Sequence, residues 1–375
     1  METVHEVIRT RARPSPEDPP MFVAWRDLRV AKGRFALIAT VVTLITILVT
    51  FLAGLTGGLA QQNVSAITSL QADRIVFSAE DAQSPSYADS AITRGQADAW
   101  ERRDGVTAVD PLGISTTRVS AGDRHETVTA FGVAQGASAV QAPAPGHVTM
   151  STETAEDLDV EKGDHVRIGA KSFVVATEPD ITWYSHLPVV RLDLSDWQDV
   201  GARPGEPAPF ATVLAVSASD TDFAAADAVA GTTSEGVLSS LTALGSFRSE
   251  IGSLLLMVGM LFGISSLVVG AFFTVWSIQR QPDVAVLKAL GATNRMLTRD
   301  ALGQAAVVLL LGVSAGIAVT AALGAVAGSA LPFVLSPLTT LLPGVIMTAL
   351  GLAGAGLATR SITRTDPLNA LGSNR

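Results

Sequence analysis

Three strongly apolar stretches of the chain stand out for containing no Asp, Glu, Lys or Arg: residues 35–60, 251–279 and 301–359. A helix needs about 20 consecutive apolar residues to cross a bilayer core. The first two tracts therefore predict one span each, and the third is long enough for two joined by a turn. Pro332 and Pro337, with Gly328 and Ser336, mark that turn, because proline removes a backbone donor and breaks helices. The predicted spans are 35–60, 248–279, 301–327 and 338–359, with a short outer turn at 328–337. The first tract starts too far along the chain and runs too long for a cleaved signal sequence, so it is expected to stay as an anchor.

Between the first two spans the pattern changes character. Residues 127–133, 165–168, 172–176 and 211–216 read as short strands, and Gly169-Ala170-Lys171 between the second and third of them is a hairpin signal. Residues 151–158 and 220–230 read as helices, each opening with a plausible cap. Segment 61–247 is thus predicted to be one mixed domain. The fold class that follows is a membrane α-helical protein of four transmembrane helices, with a large α+β extracytoplasmic domain between helices 1 and 2.

Outside these elements, residues 1–20 hold four prolines and no apolar period, which predicts a disordered leader; Met21 is a candidate natural start. In 21–34, Phe22, Trp25 and Leu28 stand against Arg26, Arg29 and Lys32, a pattern that suits a cytoplasmic interfacial helix and equally a plain basic anchor. Residues 280–300 are expected to be a cytoplasmic coupling helix and linker, and 360–375 a cytoplasmic tail.

Composition agrees with a membrane chain: 48% of residues are hydrophobic, only 16% are charged, and mean hydropathy is +0.37. Charge fixes the expected orientation. Residues 61–235 carry 26 acidic and 11 basic side chains, whereas the rest of the chain carries 9 and 15. Basic residues flank the spans at Arg26, Arg29, Lys32 and Arg34, at Arg280, Lys288, Arg295 and Arg299, and at Arg360, Arg364 and Arg375. By the positive-inside rule these segments are cytoplasmic, which puts both termini inside and predicts a multi-pass protein of the plasma membrane.

The chain has no cysteine, which excludes disulfides, thiolate catalysis and cysteine-ligated metals. None of its four lysines, Lys32, Lys162, Lys171 and Lys288, follows a glycine, so the Gly-Lys-[Ser/Thr] of a phosphate-binding loop is absent. If transport is ATP-driven, the energy then enters through another polypeptide, and with no catalytic constellation in its sequence this chain is expected to be non-catalytic. His125, His147, His165 and His186 lie too far apart for helical metal pairing, so no free-ion metal site, intrinsic cofactor or nucleic-acid partner is expected. Trp183-Tyr184-Ser185-His186 has potential haem-ligand chemistry, against the blander reading of a loop anchored by its aromatics. GxxxG spacings at Gly54/Gly58, Gly259/Gly263, Gly312/Gly316 and Gly324/Gly328 suit close helix packing.

The connection after the second span is the most informative. Asp283 is placed to cap a short helix whose Val284, Leu287 and Leu290 share a face and which Gly291 ends. Such a helix suits docking into a groove on a partner. Trp276-Ser277-Ile278-Gln279-Arg280 and Val284 to Thr293 resemble the second-span exit and coupling helix of MacB/FtsX-like ABC permeases. Ala24-Trp25-Arg26-Asp27-Leu28 resembles that family's elbow helix. Leu158 to Val166 resembles its extracytoplasmic core, and Asp366 to Leu371 its tail. Ala271 to Trp276 and Arg299 to Ala305 are similar to haem-exporter permeases of Gram-positive bacteria (HrtB type), with Pro282-Asp283 departing from the usual charged residue and glutamate.

The resemblance implies a homodimer of permeases with two copies of an ABC ATP-binding subunit, working in membrane lipid. Their contact would involve Asp283, Val284, Leu287, Lys288, Leu290 and Gly291. It also implies mechanotransmission: closure of the ATPases moves the coupling helices and, through the spans, the outer domain. Haem is then the expected transported substrate, expelled from the outer leaflet, with Phe247, Arg248, Glu250 and Met257 as its contacts. An acid at a membrane edge is a functional candidate by default, against the plainer reading that Arg248 and Glu250 mark the interface. Export of another amphiphile (lipid, lipoprotein or antimicrobial peptide) and FtsX-like signalling to a cell-wall hydrolase are the alternatives.

Overall fold

A computed structural model describes residues 32–79, 84–201, 210–327 and 331–363. The leader, most of the interfacial segment and the last twelve residues lie outside the described residues.

In chain order the elements are α1 (Lys32–Thr68), β1 (Arg74–Ser78), α2 (Arg94–Glu101), β2 (Val106–Ala121), β3 (Arg124–Val133), β4 (His147–Ser151), α3 (Thr152–Leu158), β5 (His165–Ile168) and β6 (Lys171–Glu178). They continue with β7 (Trp183–Tyr184), β8 (Leu187–Asp193), α4 (Leu194–Gly201), β9 (Val213–Ala218), α5 (Phe223–Ala230), β10 (Thr232–Gly236) and α6 (Val237–Ser240). The last four are α7 (Gly245–Gln279), α8 (Gln281–Ala289), α9 (Asn294–Ala327) and α10 (Pro337–Thr363). Four of them, α1, α7, α9 and α10, are long and apolar enough to cross a membrane.

The chain divides into two compact units, Leu55–Leu256 and the remainder. In the first, the strands run β10-β1-β9-β2-β3-β8-β4-β6-β5, and β2 also pairs with β5. That second pairing closes six strands into a ring around Val128, Met150, Phe173 and Val190, with Trp197 of α4 in the same apolar cluster. Helices α2 and α5 cover the β10-β1-β9 end, where Trp100 is fully buried and donates from Nε1 to Thr232 Oγ1 at 3.0 Å. Local chemistry sets the helix starts. Ser151 Oγ accepts from the Thr154 amide, Asp222 accepts from the Ala225 amide, and Thr93 and Gln96 form a capping box.

A third cluster of this unit takes in Val64 and Ile67 from the end of α1 and Leu70 just beyond it. This is why the helix does not stop where the apolar tract stops. Expected to end at 60, α1 runs to Thr68, because its polar run Gln61-Gln62-Asn63 is followed by apolar positions that the domain core buries. Helix α7 likewise begins at Gly245 rather than 248, α9 at Asn294 rather than 301, and α10 runs from Pro337 to Thr363 rather than 338–359.

In the second unit, α9 packs on α1 through glycine. A Cβ added at Gly316 would lie 2.6 Å from Thr46 Cβ, and one at Gly312 2.8 Å from Val42 Cγ1. Backbones therefore approach as closely as small residues allow, and Thr43 Oγ1 donates to the Gly312 carbonyl at 3.1 Å. Lower in polarity but still paired, Thr50 and Thr320 share a hydroxyl hydrogen bond of 2.7 Å, both fully buried. Gly54 and Gly324 instead make room for the Phe333 ring, whereas at Gly259 and Gly263 no other element among the described residues comes within 4 Å of the Cβ position.

Candidate functional site

Glu250 lies in the second turn of α7, and the structure surrounds it with groups from two other segments. Strands β7 and β8 are joined by Ser185 and His186 alone, since Trp183 pairs with Pro188 and Tyr184 with Leu187. This two-residue turn reaches α1, where the Ser185 amide donates to the Asn63 carbonyl at 2.9 Å and the His186 amide to the Gln62 carbonyl at 3.0 Å. The Trp183 amide donates to Ser65 Oγ at 2.8 Å.

The side chains then converge. His186 Nε2 is 2.7 Å from Glu250 Oε2, and Asn63 Nδ2 donates to the same oxygen at 3.1 Å. Ser246 Oγ donates to Asn63 Oδ1 at 2.9 Å and lies 3.0 Å from Ser185 Oγ. Asn63 is fully buried, a polar group whose position is set by its partners. His186 and Glu250 stay 37% and 28% exposed in their side chains, so the pair is open to a ligand. Tyr184 turns the other way, edge-on to Phe131 at 5.8 Å and Tyr87 at 6.0 Å. Burial pushes the phenols of both Tyr184 and Tyr87 well above the usual tyrosine range, with a hydrogen bond to Ser240 partly offsetting this at Tyr87.

A second polar arrangement sits at the other end of α7. Arg280 follows its last residue, lies with its guanidinium 5.0 Å from the centre of the Trp276 ring, and donates from Nη1 to Gln304 Oε1 at 2.7 Å. Gln304, on α9 and fully buried, donates from Nε2 to Asp300 Oδ2 at 3.0 Å. Trp276 also meets Phe273 and Phe35 edge-on at 6.1 and 6.2 Å. From this anchored point α8 departs, with Val286, Leu287 and Leu290 exposed by 60%, 41% and 79%. Gly291 ends it with φ of +97, the conformation a helix stop of this kind needs.

Residues 255–367 match the FtsX-like permease C-terminal family. The chain carries an FtsX-like permease domain. It is 24% identical to "Putative hemin transport system permease protein HrtB" of Staphylococcus epidermidis (strain RP62A), over 95% of this chain and 100% of that protein. Similar figures hold for the protein of that name from Staphylococcus haemolyticus, 24% over 94% and 99%, and for an uncharacterized ABC transporter permease of Mycobacterium bovis, also 24% over 94% and 99%. Among solved structures, the periplasmic region of MacB from Actinobacillus actinomycetemcomitans aligns at 11% identity and a TM-score of 0.32, covering 47% of this chain and 94% of that one. The extracellular domain of the Gram-positive transporter YknZ aligns at 14% and 0.30, covering 46% and 93%. The family match and the full-length relatives together make this chain similar to permeases along its whole length.

Within this permease the predicted contacts separate. Glu250 alone of its group joins a cluster. Phe247 packs against the domain core, Arg248 is exposed two residues from Glu250, about 200° round the helix, and Met257 lies two turns further along. Of the predicted coupling residues, Asp283 does not cap α8: Arg280 occupies the cap position, with Pro282 in the first turn, and Asp283 is the helix's third residue. Val284 is half-buried, and Val286, absent from the predicted set, is exposed in its place beside Leu287. Lys288 is half-buried as well. Asn63 gave no sign in the sequence beyond standing in a polar run after an apolar one, and His186 only its membership of an aromatic cluster.

Proposed function

We propose that this permease is the membrane subunit of an ATP-driven efflux pump that exports haem from the outer leaflet of the plasma membrane, with both termini in the cytoplasm. Two permease copies and two ATP-binding subunits make up the pump. The observation that carries this reading is the cluster at the head of α7, where a carboxylate, an imidazole and a buried carboxamide meet. Full-length similarity to proteins named for hemin transport supports the choice of substrate. Carboxylate, imidazole and thioether groups all ligate haem iron, and a guanidinium pairs with a propionate. Glu250 supplies the carboxylate within the cluster, whereas Phe247, Arg248 and Met257, expected as further contacts, lie outside it.

The energy enters by mechanotransmission. Val286, Leu287 and Leu290 on α8 form the apolar face presented to the ATP-binding subunit, with Asp283, Val284, Lys288 and Gly291 shaping the same helix. Helix α7 runs unbroken from Gly245 to Gln279, with Glu250 near one end and Arg280 just beyond the other. A displacement of α8 is handed to a continuous rod. The uncovered Gly259 and Gly263 offer a close-packing face for the second permease copy.

Haem tolerance of a deletion strain tests the reading. Growth in added haem should fail without the gene and return with the unaltered protein but not with Leu287→Asp. A deletion strain as tolerant as its parent would overturn it.

A further inference from the structure

The β7–β8 turn contains the wrong residues for its shape. Two-residue turns of this hand place both central residues at positive φ and favour Asn-Gly or Asp-Gly. Here they are Ser185 with φ of 52 and His186 with φ of 64. A left-handed conformation is unfavourable for a non-glycine residue, and such strain persists where surroundings over-determine it, characteristically at functional positions. The surroundings do so here. Two amide-to-carbonyl bonds to α1, the Ser65 hydroxyl and the Ser185–Ser246 contact hold the turn from three sides. Their combined effect is to fix one imidazole beside Glu250 while leaving it partly open to solvent.

We propose that His186 is the residue that takes the iron of the haem substrate, with Glu250 and Asn63 as the resting clamp that keeps its imidazole aimed. This rests on the haem reading above. With Glu250 ionised, the hydrogen of the resting contact belongs to Nε2. On ligation the Nε2 lone pair forms the bond to ferric iron. Its hydrogen leaves by way of the Glu250 carboxylate to water, and Nδ1 gains one from water. The ring stays neutral and Glu250 ends as the carboxylate it began as, still holding the Asn63 amide. Tyr184, the other ligand type in the same run, is removed from this role by its place in the aromatic core, where its phenol resists ionisation. Glu250 itself already accepts two contacts on Oε2.

The test is titration of ferric haem into the purified full-length permease with its ATP-binding subunit, followed by Soret absorption and electron paramagnetic resonance. His186→Asn keeps the turn, because asparagine tolerates positive φ, but removes the imidazole. The unaltered protein should show nitrogen ligation. His186→Asn should lose it and bind at least about 10-fold more weakly, the loss that even supporting partners of a metal site produce, and Tyr184→Phe should match the unaltered protein. His186→Gly relieves the backbone strain altogether, and added imidazole should restore haem retention on that variant. Unchanged spectrum and affinity in His186→Asn would overturn the assignment while leaving haem as substrate. Failure of the unaltered protein to take up haem would remove both.

Discussion

Replacing Gln304 by leucine tests how α7 and α9 are tied together beside α8. The change keeps the approximate volume of a fully buried side chain and removes its two hydrogen bonds, the acceptor to Arg280 Nη1 at 2.7 Å and the donor to Asp300 Oδ2 at 3.0 Å. A hydrogen bond to a charged group contributes about 1.5–3 kcal/mol, so about 3–6 kcal/mol is the ceiling for the pair. The loss should fall below that ceiling, because Arg280 keeps the Trp276 face and leucine adds apolar contact. A loss of about 2–4 kcal/mol is expected. Thermal or denaturant unfolding in detergent reads the stability, and the ratio of substrate moved to ATP hydrolysed, in vesicles containing the complete pump, reads the coupling. Gln304→Glu separates the two bonds, since a carboxylate accepts from Arg280 but opposes Asp300. It should keep most of the coupling and lose part of the stability. Stability and coupling both unchanged in Gln304→Leu would refute the view that this joint fixes the start of α8.

Leu287→Asp puts a charge on the exposed face of α8 and should abolish stimulation of the ATP-binding subunit without lowering permease stability; stimulated hydrolysis at the unaltered rate would count against α8 as the docking element. Gly316→Leu should disrupt folding, because even a Cβ there meets Thr46 at 2.6 Å, whereas Gly259→Leu should fold normally and weaken self-association, read by crosslinking; normal folding of Gly316→Leu would contradict the α1–α9 packing. Tyr87 and Tyr184 are the only tyrosines, and burial raises both, so ultraviolet titration of the folded protein should show no phenolate in the usual range near pH 10. The sign follows: above pH 10 the unfolded chain loses protons that the folded one keeps, so stability is full below that pH and falls by about 1.4 kcal/mol per group per pH unit above it. A stability curve flat from pH 9 to 11 would refute the burial.

Length and apolarity made the four membrane helices legible, because a span needs nothing from the rest of the chain to be recognised: its own residues satisfy every backbone group. The same autonomy explains the β5–β6 hairpin and the cap at Ser151, each read within a few residues, while the helix expected from residue 220 starts at Phe223 with Asp222 as its cap. What escaped were the features that one segment supplies to another. The extension of α1 past residue 60 exists because a core assembled from β1, β3 and β9 buries Val64 and Ile67. Asn63 reaches Glu250 and the β7–β8 turn only because of that extension. Val286 rather than Val284 is exposed beside Leu287, a choice of face that the spacing of apolar residues alone does not make. Glu250 was found from its own chemistry, an acid at a membrane edge, but its environment was not. Phe247 and Arg248, its neighbours in sequence, point elsewhere, and its partners come from positions 123 residues apart, Asn63 and His186. A site built this way can change its ligand chemistry by substitution in the turn alone, leaving the membrane helices untouched.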